Sequence, residues 1–258
     1  MELFDSHCHL NDEKFDEDRD NVIKSIYKAG VSKIVNAGYD ISSSKKAIDI
    51  AKKNEYIYCT VGISPNDVPK SIKEIDDQIK EIKSLLNNKK IVAIGEIGLD
   101  YYWNKENKSI QKDMFIKQIE LANIYNLPIQ IHTREAVDDT IKILRENKVE
   151  KSGIFHCCPL NRQLVNEALK MGFYISFAGP ITFKNSKNAE EIINMVPLDK
   201  ILIETDSPYL SPEPNRGKRN TPENVVFNAR KIAEVTKKSP QEIASITYEN
   251  ACRIFGIQ

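Results

Sequence analysis

Eight short apolar runs recur along this 258-residue chain, and a longer segment with helical periodicity separates each from the next. The runs are residues 2–4, 33–37, 56–61, 91–94, 129–131, 153–155, 173–176 and 201–203. Between them, apolar residues three and four apart predict amphipathic helices, as in residues 20–30, closed by Gly30, and 111–125, just ahead of Leu127 and Pro128. Such alternation fits either a (β/α)8 barrel or a doubly wound open sheet. The count of eight favours the TIM-type barrel, as does the absence of a glycine-rich phosphate loop after the first run. No internal repeat, low-complexity tract or linker divides residues 1–258, so one barrel domain is expected. Residues 207–222 are too rich in proline and glycine for a regular element and, following the last strand, should lie over the barrel mouth.

Composition narrows the function by exclusion. The 37 basic and 37 acidic residues cancel, which removes the global positive field of a nucleic-acid coat protein; any polyanion must be gripped locally. Five scattered cysteines, an odd number without a C-x-x-C pair, argue against a disulfide framework or zinc knuckle and for a reducing, cytoplasmic setting. Neither a leader-like progression at Met1 nor a run of roughly 18 apolar residues suggests secretion or membrane spanning. No obligate protein partner is indicated.

The chemistry gathers at the strand ends. All four histidines, His7, His9, His132 and His156, fall where an apolar run stops. A lone His beside a strand commonly packs or caps, but His7 and His9 are two apart and project to one side of an extended segment. Glu96 and Asp206 occupy corresponding positions after the fourth and eighth runs. On a barrel, six polar groups from five strands would converge at the C-terminal mouth, where such folds place active sites. Four imidazoles and two carboxylates suit two divalent ions better than one, a site for hydrolysis with phosphodiesters as natural substrates. Ligand softness favours zinc, iron or manganese over magnesium, and the identity of the two ions, zinc, magnesium or manganese, stays open.

Ordered segments along almost the whole chain resemble the TatD family of metal-dependent deoxyribonucleases, within the amidohydrolase-like barrels. They are D-S-H-C-H-L at the start, G-E-I-G-L-D-Y-Y from Gly95, L-P-I-Q-I-H-T-R-E-A from Leu127, F-H-C at Phe155, E-T-D-S-P-Y-L from Glu204, R-G-K-R-N-T-P from Arg216 and N-A-C-R-I-F-G from Asn250. The resemblance implies that His7, His9 and Asp206 hold one ion, His132 and His156 a second, and that Glu96 bridges them. It also implies that Asp206 accepts the proton of the attacking water, and that cleavage runs 3′ to 5′ on DNA. Two departures stand out. The family's G-x-H-P-H loop reads Gly62-Ile63-Ser64-Pro65-Asn66, and Cys158-Pro159-Leu160 replaces the usual residues after H-C. The first should spare metal binding but alter substrate range or rate.

Around this set, strand alternation turns Cys8 toward packing, and Cys157 and Cys158 adjoin a ligand without being expected to join it. Glu204 is expected to support a ligand from behind, its side unfixed by spacing. Arg134, two residues beyond His132, is a candidate phosphate contact or a salt-bridge residue. Arg216, Lys218 and Arg219 are candidates to guide a polyanion, and Tyr101, Tyr102 and Trp103 to stack on unpaired bases or pack beneath the loop. The expected function is a deoxyribonuclease acting on single-stranded or frayed DNA 3′ ends. The alternatives are ester hydrolysis of D-aminoacyl-tRNA and a catalytically silent metal-binding barrel.

Overall fold

A computed structural model describes all 258 residues. Its eight strands are β1 (Leu3–Cys8), β2 (Val31–Ala37), β3 (Ile57–Val61), β4 (Ile91–Asp100), β5 (Ile129–Arg134), β6 (Gly153–Phe155), β7 (Tyr174–Phe177) and β8 (Ile201–Ile203). They pair in parallel, in sequence order. Nine helices accompany them: α1 (Arg19–Lys28), α2 (Ile41–Lys53), α3 (Ile72–Leu85), α4 (Lys108–Tyr125), α5 (Val137–Glu146), α6 (Arg162–Lys170), α7 (Ala189–Met195), α8 (Val225–Thr236) and α9 (Pro240–Phe255). The result is the nearly closed (β/α)8 barrel that the eightfold alternation predicts.

Two apolar layers hold it together. Between strands and helices runs a cluster of 57 buried residues, and Cys8 packs there with its thiol toward the Val35 carbonyl, turned away from the histidines beside it. A smaller cluster fills the barrel interior, taking Phe4, Val35, Val92, Ile154, Tyr174 and Leu202 from six strands. Helix α9 plugs the bottom of this cluster. It starts on a reciprocal Ser239–Glu242 cap with Pro240 in its first turn, and it ends at Gly256 with φ +67°. Phe255 stacks on Phe4 with ring centres 5.9 Å apart, and burying one such ring is worth about 1.5–3 kcal/mol. Helix α9 thus covers the lower cluster, while the C-terminal mouth opens into a cleft.

The strands run further than their apolar cores. His7 and His132 lie inside β1 and β5, and β4 continues four residues past Glu96. The reason is local. Pairing shifts register between Asp5 and Cys8 in β1 and between Ile94 and Ile97 in β4, so at each place two residues face one on the neighbouring strand. Such bulges re-aim side chains beside active sites, and here they fall at His7 and Glu96. Beyond the second bulge, Gly98 has φ +137°, and a Cβ there would lie 2.0 Å from the His132 carbonyl oxygen. Only glycine allows β4 and β5 to approach so closely at the ligand level.

β8 and β1 close the ring without a regular ladder. The seam is stitched instead by Ser6 Oγ to Ile203 O (3.0 Å), Thr205 N to Asp5 Oδ1 (2.9 Å), Asp206 N to His7 O (2.9 Å) and His9 N to Ser207 O (2.7 Å). These bonds set Asp206 against His7 and His9. As expected, residues 207–222 form almost no regular structure, and Tyr209 and Leu210 from this segment border the mouth. Buried Asn220 holds the segment by donating to the Thr205 and Tyr209 carbonyls. No helix is long and apolar enough to cross a membrane.

Candidate metal centre

The six residues singled out at the strand ends meet at one point of the mouth, organised by the two oxygens of Glu96. Glu96 Oε2 lies 3.6 Å from His7 Nε2 and 3.7 Å from His9 Nε2. Asp206 Oδ1 completes that group, 3.6 and 3.3 Å from the same nitrogens. Glu96 Oε1 lies 3.0 Å from His132 Nδ1 and 3.3 Å from His156 Nε2. Donors about 2.0–2.2 Å from a tetrahedral centre lie roughly 3.4 Å from one another, so the observed separations match atoms arranged around a cation. These residues fit divalent metal on geometry as well as on donor type.

What lies behind the ligands supports the same reading. His9 Nδ1 donates to the Ala37 carbonyl at 3.1 Å, His132 Nε2 to Asp100 Oδ2 at 3.0 Å, and His156 Nδ1 to Glu204 Oε1 at 3.3 Å. Each bond fixes the tautomer and leaves the other nitrogen's lone pair facing the centre. His7 is the exception, since its buried Nδ1 has no hydrogen-bond partner. Its ring instead stacks on that of His156 at 3.9 Å.

Burial alone would push the imidazoles of His9, His132 and His156 down, but the facing carboxylates outweigh it and raise all three above the ordinary 6.5. Asp206 and Glu96 act on His9, Asp100 and Glu96 on His132, and Glu96 and Glu204 on His156. Burial likewise pushes Glu96 up, yet His156 and His132 hold it well below the carboxylate range. His7 goes down, chiefly from burial and secondarily from His156 and His9. A cation needs these imidazoles unprotonated, so its binding would compete with protons at the three raised groups.

Glu204 and Asp206 leave the strand in different directions. Glu204 is fully buried, and its Oε1 also accepts from Cys157 N at 2.7 Å. Asp206 adopts φ +54°, a left-handed turn that a short polar residue tolerates, and so faces the mouth. The supporting role expected of Glu204 is thus visible in its bond to His156.

The mouth opens into a cleft of about 730 Å³. Arg134 lines it and makes no salt bridge; its guanidinium lies over the Tyr102 ring at 3.8 Å. Three of the other substrate candidates, Tyr101, Arg219 and Arg216, stand outside the cleft lining. Tyr101 is buried, and its hydroxyl bonds Asp139 Oδ2 at 2.7 Å, so it anchors the loop from beneath and offers no ring to a base. Arg219 is committed to Asp18 at 2.6 Å and to the Lys14 carbonyl at 2.6 Å. Arg216 stacks over Phe183 at 4.2 Å, and neither arginine borders the cleft. In the substituted loop, Ser64, Asn66 and Asp67 line the cleft, with Ser64 Oγ donating to Asp67 Oδ2 at 2.6 Å.

Sequence reasoning missed Asp100 and Asp5. Both stand inside the ligand-bearing motifs, four residues after Glu96 and two before His7, and a carboxylate at that spacing on a ligand strand was the available signal.

The barrel and its His/Asp/Glu cluster define a metal-dependent hydrolase. The chain belongs to the TatD related DNase family, whose profile matches residues 4–256. It is 44% identical over 256 residues to the uncharacterized metal-dependent hydrolase YabD of Bacillus subtilis, covering 99% of each chain. It is 35% identical over 262 residues to YcfH of Escherichia coli, another uncharacterized metal-dependent hydrolase, covering 100% of this chain and 97% of the relative. Among solved structures, the TatD homolog YjjV of Escherichia coli superposes with a TM-score of 0.93 at 25% identity, covering 99% of this chain and 98% of that one.

Proposed function

We propose that this protein is a deoxyribonuclease that removes nucleotides from single-stranded or frayed DNA 3′ ends, using two divalent cations. The observation that carries the reading is the placement of Glu96, one oxygen facing His7 and His9 and the other His132 and His156. His7, His9 and Asp206 would hold one cation, His132 and His156 the other, and Glu96 both. Zinc, manganese and magnesium are the candidates. Paired cations would supply charge stabilisation at the phosphoryl oxygens and an acidified water.

The remaining work falls to the chain. Asp206 faces the mouth beside His7 and His9, and its carboxylate is placed to take the proton of the attacking water. Asp100, Glu204 and the Ala37 carbonyl keep three imidazoles in the tautomers the reaction needs. The floor of the site lies within a barrel mouth, which a stacked, paired nucleotide does not reach, so unpaired ends are preferred. The 3′ polarity rests on the family resemblance.

One observation favours a second reading, ester hydrolysis of D-aminoacyl-tRNA. Asp67 lines the cleft without a cationic partner, and a carboxylate there suits an aminoacyl ammonium better than a phosphate. The deciding experiment offers chelator-stripped protein, resupplied with each metal, a 5′-labelled single-stranded oligonucleotide and a D-aminoacyl-tRNA, alongside Asp206→Asn. Stepwise, metal-dependent shortening that Asp206→Asn abolishes supports the nuclease. Deacylation without shortening replaces it with the esterase.

A further inference from the structure

Arg134 is the only lysine or arginine that lines the cleft. Its neighbour Glu135 turns away to Lys105 at 3.8 Å, leaving the guanidinium unpaired. Instead its Cζ lies over the Tyr102 ring, 3.8 Å from the ring centre, and 5.5 Å from that of Trp103. Stacking occupies the face of a guanidinium and leaves its edge N–H groups free, the fork that meets a phosphate bidentately. Beside it, Trp103 borders the cleft and is 68% exposed, a large ring held in water.

This arrangement is braced from within. The Asp100 carboxylate accepts the amides of Tyr102 (2.9 Å) and Trp103 (3.1 Å), and Tyr101 N donates to the Arg134 carbonyl at 2.9 Å. Buried Gln111 clasps the Asp100 backbone, its Oε1 accepting from Asp100 N at 2.9 Å and its Nε2 donating to the Asp100 carbonyl at 3.0 Å. The loop is therefore pinned to the strand that carries His132. Arg134 is two residues beyond His132 on the strand, an advance of about 6.7 Å, the scale of one step along an extended single strand.

We propose that Arg134 and Trp103 form a subsite for the nucleotide adjoining the scissile phosphodiester, Arg134 holding its phosphate and Trp103 stacking on its base. The inference rests on the nuclease reading and deepens it. Because every base offers a π-face, the subsite recognises a flanking nucleotide without choosing its sequence. It makes the enzyme favour substrates with at least two phosphates over isolated diesters.

The test compares bis(p-nitrophenyl) phosphate, which has no flanking nucleotide, with a 3′-labelled oligodeoxynucleotide, and with the same oligonucleotide carrying a neutral methylphosphonate at the flanking linkage. Arg134→Ala and Trp103→Ala should each raise KM for the oligonucleotide about tenfold and leave KM for the small diester unchanged. The methylphosphonate should weaken the wild type by a similar factor and add nothing in Arg134→Ala, while Trp103→Phe restores most of the affinity. Equal losses on both substrates, or an unchanged oligonucleotide KM, would overturn the subsite while leaving the nuclease standing. If the wild type cleaves the small diester but no oligonucleotide, the nuclease reading itself falls and the subsite with it.

Discussion

Asp100 Oδ2 lies 3.0 Å from His132 Nε2, and the other oxygen of the same carboxylate accepts the amides of Tyr102 and Trp103. One buried side chain thus orients a metal-facing imidazole and fixes the loop that borders the substrate cleft. Asn66, in the loop where the family pattern has histidine, reaches the same carboxylate at 3.4 Å.

Asp100→Asn isolates that relationship. An amide has one accepting oxygen, so its NH2 must oppose either the His132 N–H or the two loop amides. Loss of such a supporting partner typically costs about 10–100-fold in metal affinity. Metal titration followed by calorimetry should show a drop in that range with the fold retained; an unchanged affinity would remove Asp100 from the account.

Asp5→Ala tests the β1–β8 seam. Asp5 accepts from Thr205 N at 2.9 Å, Thr205 Oγ1 at 2.5 Å and His7 N at 3.3 Å, all buried. Deleting it strands these donors, at roughly 1–3 kcal/mol for each unsatisfied group. At about 2–4 °C per kcal/mol for a chain of this size, the unfolding midpoint should fall by at least about 6 °C. Because the seam positions Asp206 against His7 and His9, metal affinity should fall with it, and a variant that loses neither would show the seam is held by other contacts.

Gly98→Ala puts a methyl 2.0 Å from the His132 carbonyl at a backbone angle of φ +137°. The strands must separate where the ligand sits, so we expect destabilisation of several kcal/mol or about 3 at least. Wild-type stability by denaturant unfolding would contradict the close approach of β4 and β5.

The metal-free and metal-loaded proteins should respond oppositely to pH. His9, His132 and His156 are raised above 6.5, so their contribution to metal-free stability is complete below 6.5 and is lost as pH rises through their folded values. Glu96, held below 4.5, contributes above 4.5 and loses that contribution as pH falls. Only His7 opposes this among the imidazoles, being lowered. These groups therefore favour the metal-free fold most between 4.5 and 6.5. A cation needs unprotonated nitrogens, so its stabilisation grows with pH. Thermal unfolding at about pH 6 and about pH 9 should show the chelated protein losing stability while the gain on adding metal increases. Parallel shifts in both forms would refute this competition with protons.

Residue type and spacing along the chain carried the architecture and the candidate ligands. Eight apolar runs in strict alternation admit few folds, and His7 with His9, Glu96, His132, His156 and Asp206 are chemically conspicuous groups at strand ends. A local pattern can show this because strand periodicity and ligand chemistry are both properties of neighbouring residues. Direction and partnership belong to the tertiary structure. Bulges at His7 and Glu96 reset which side chains face the mouth, and register emerges only when strands pair. The buried Tyr101, the Arg219–Asp18 pair and the Asp100–His132 bond were equally invisible, because each joins residues from separate parts of the chain. The sequence by itself thus determined which groups could bind metal on a barrel; packing decided which nitrogen each presents, which carboxylate stands behind it, and that Arg134 is left free.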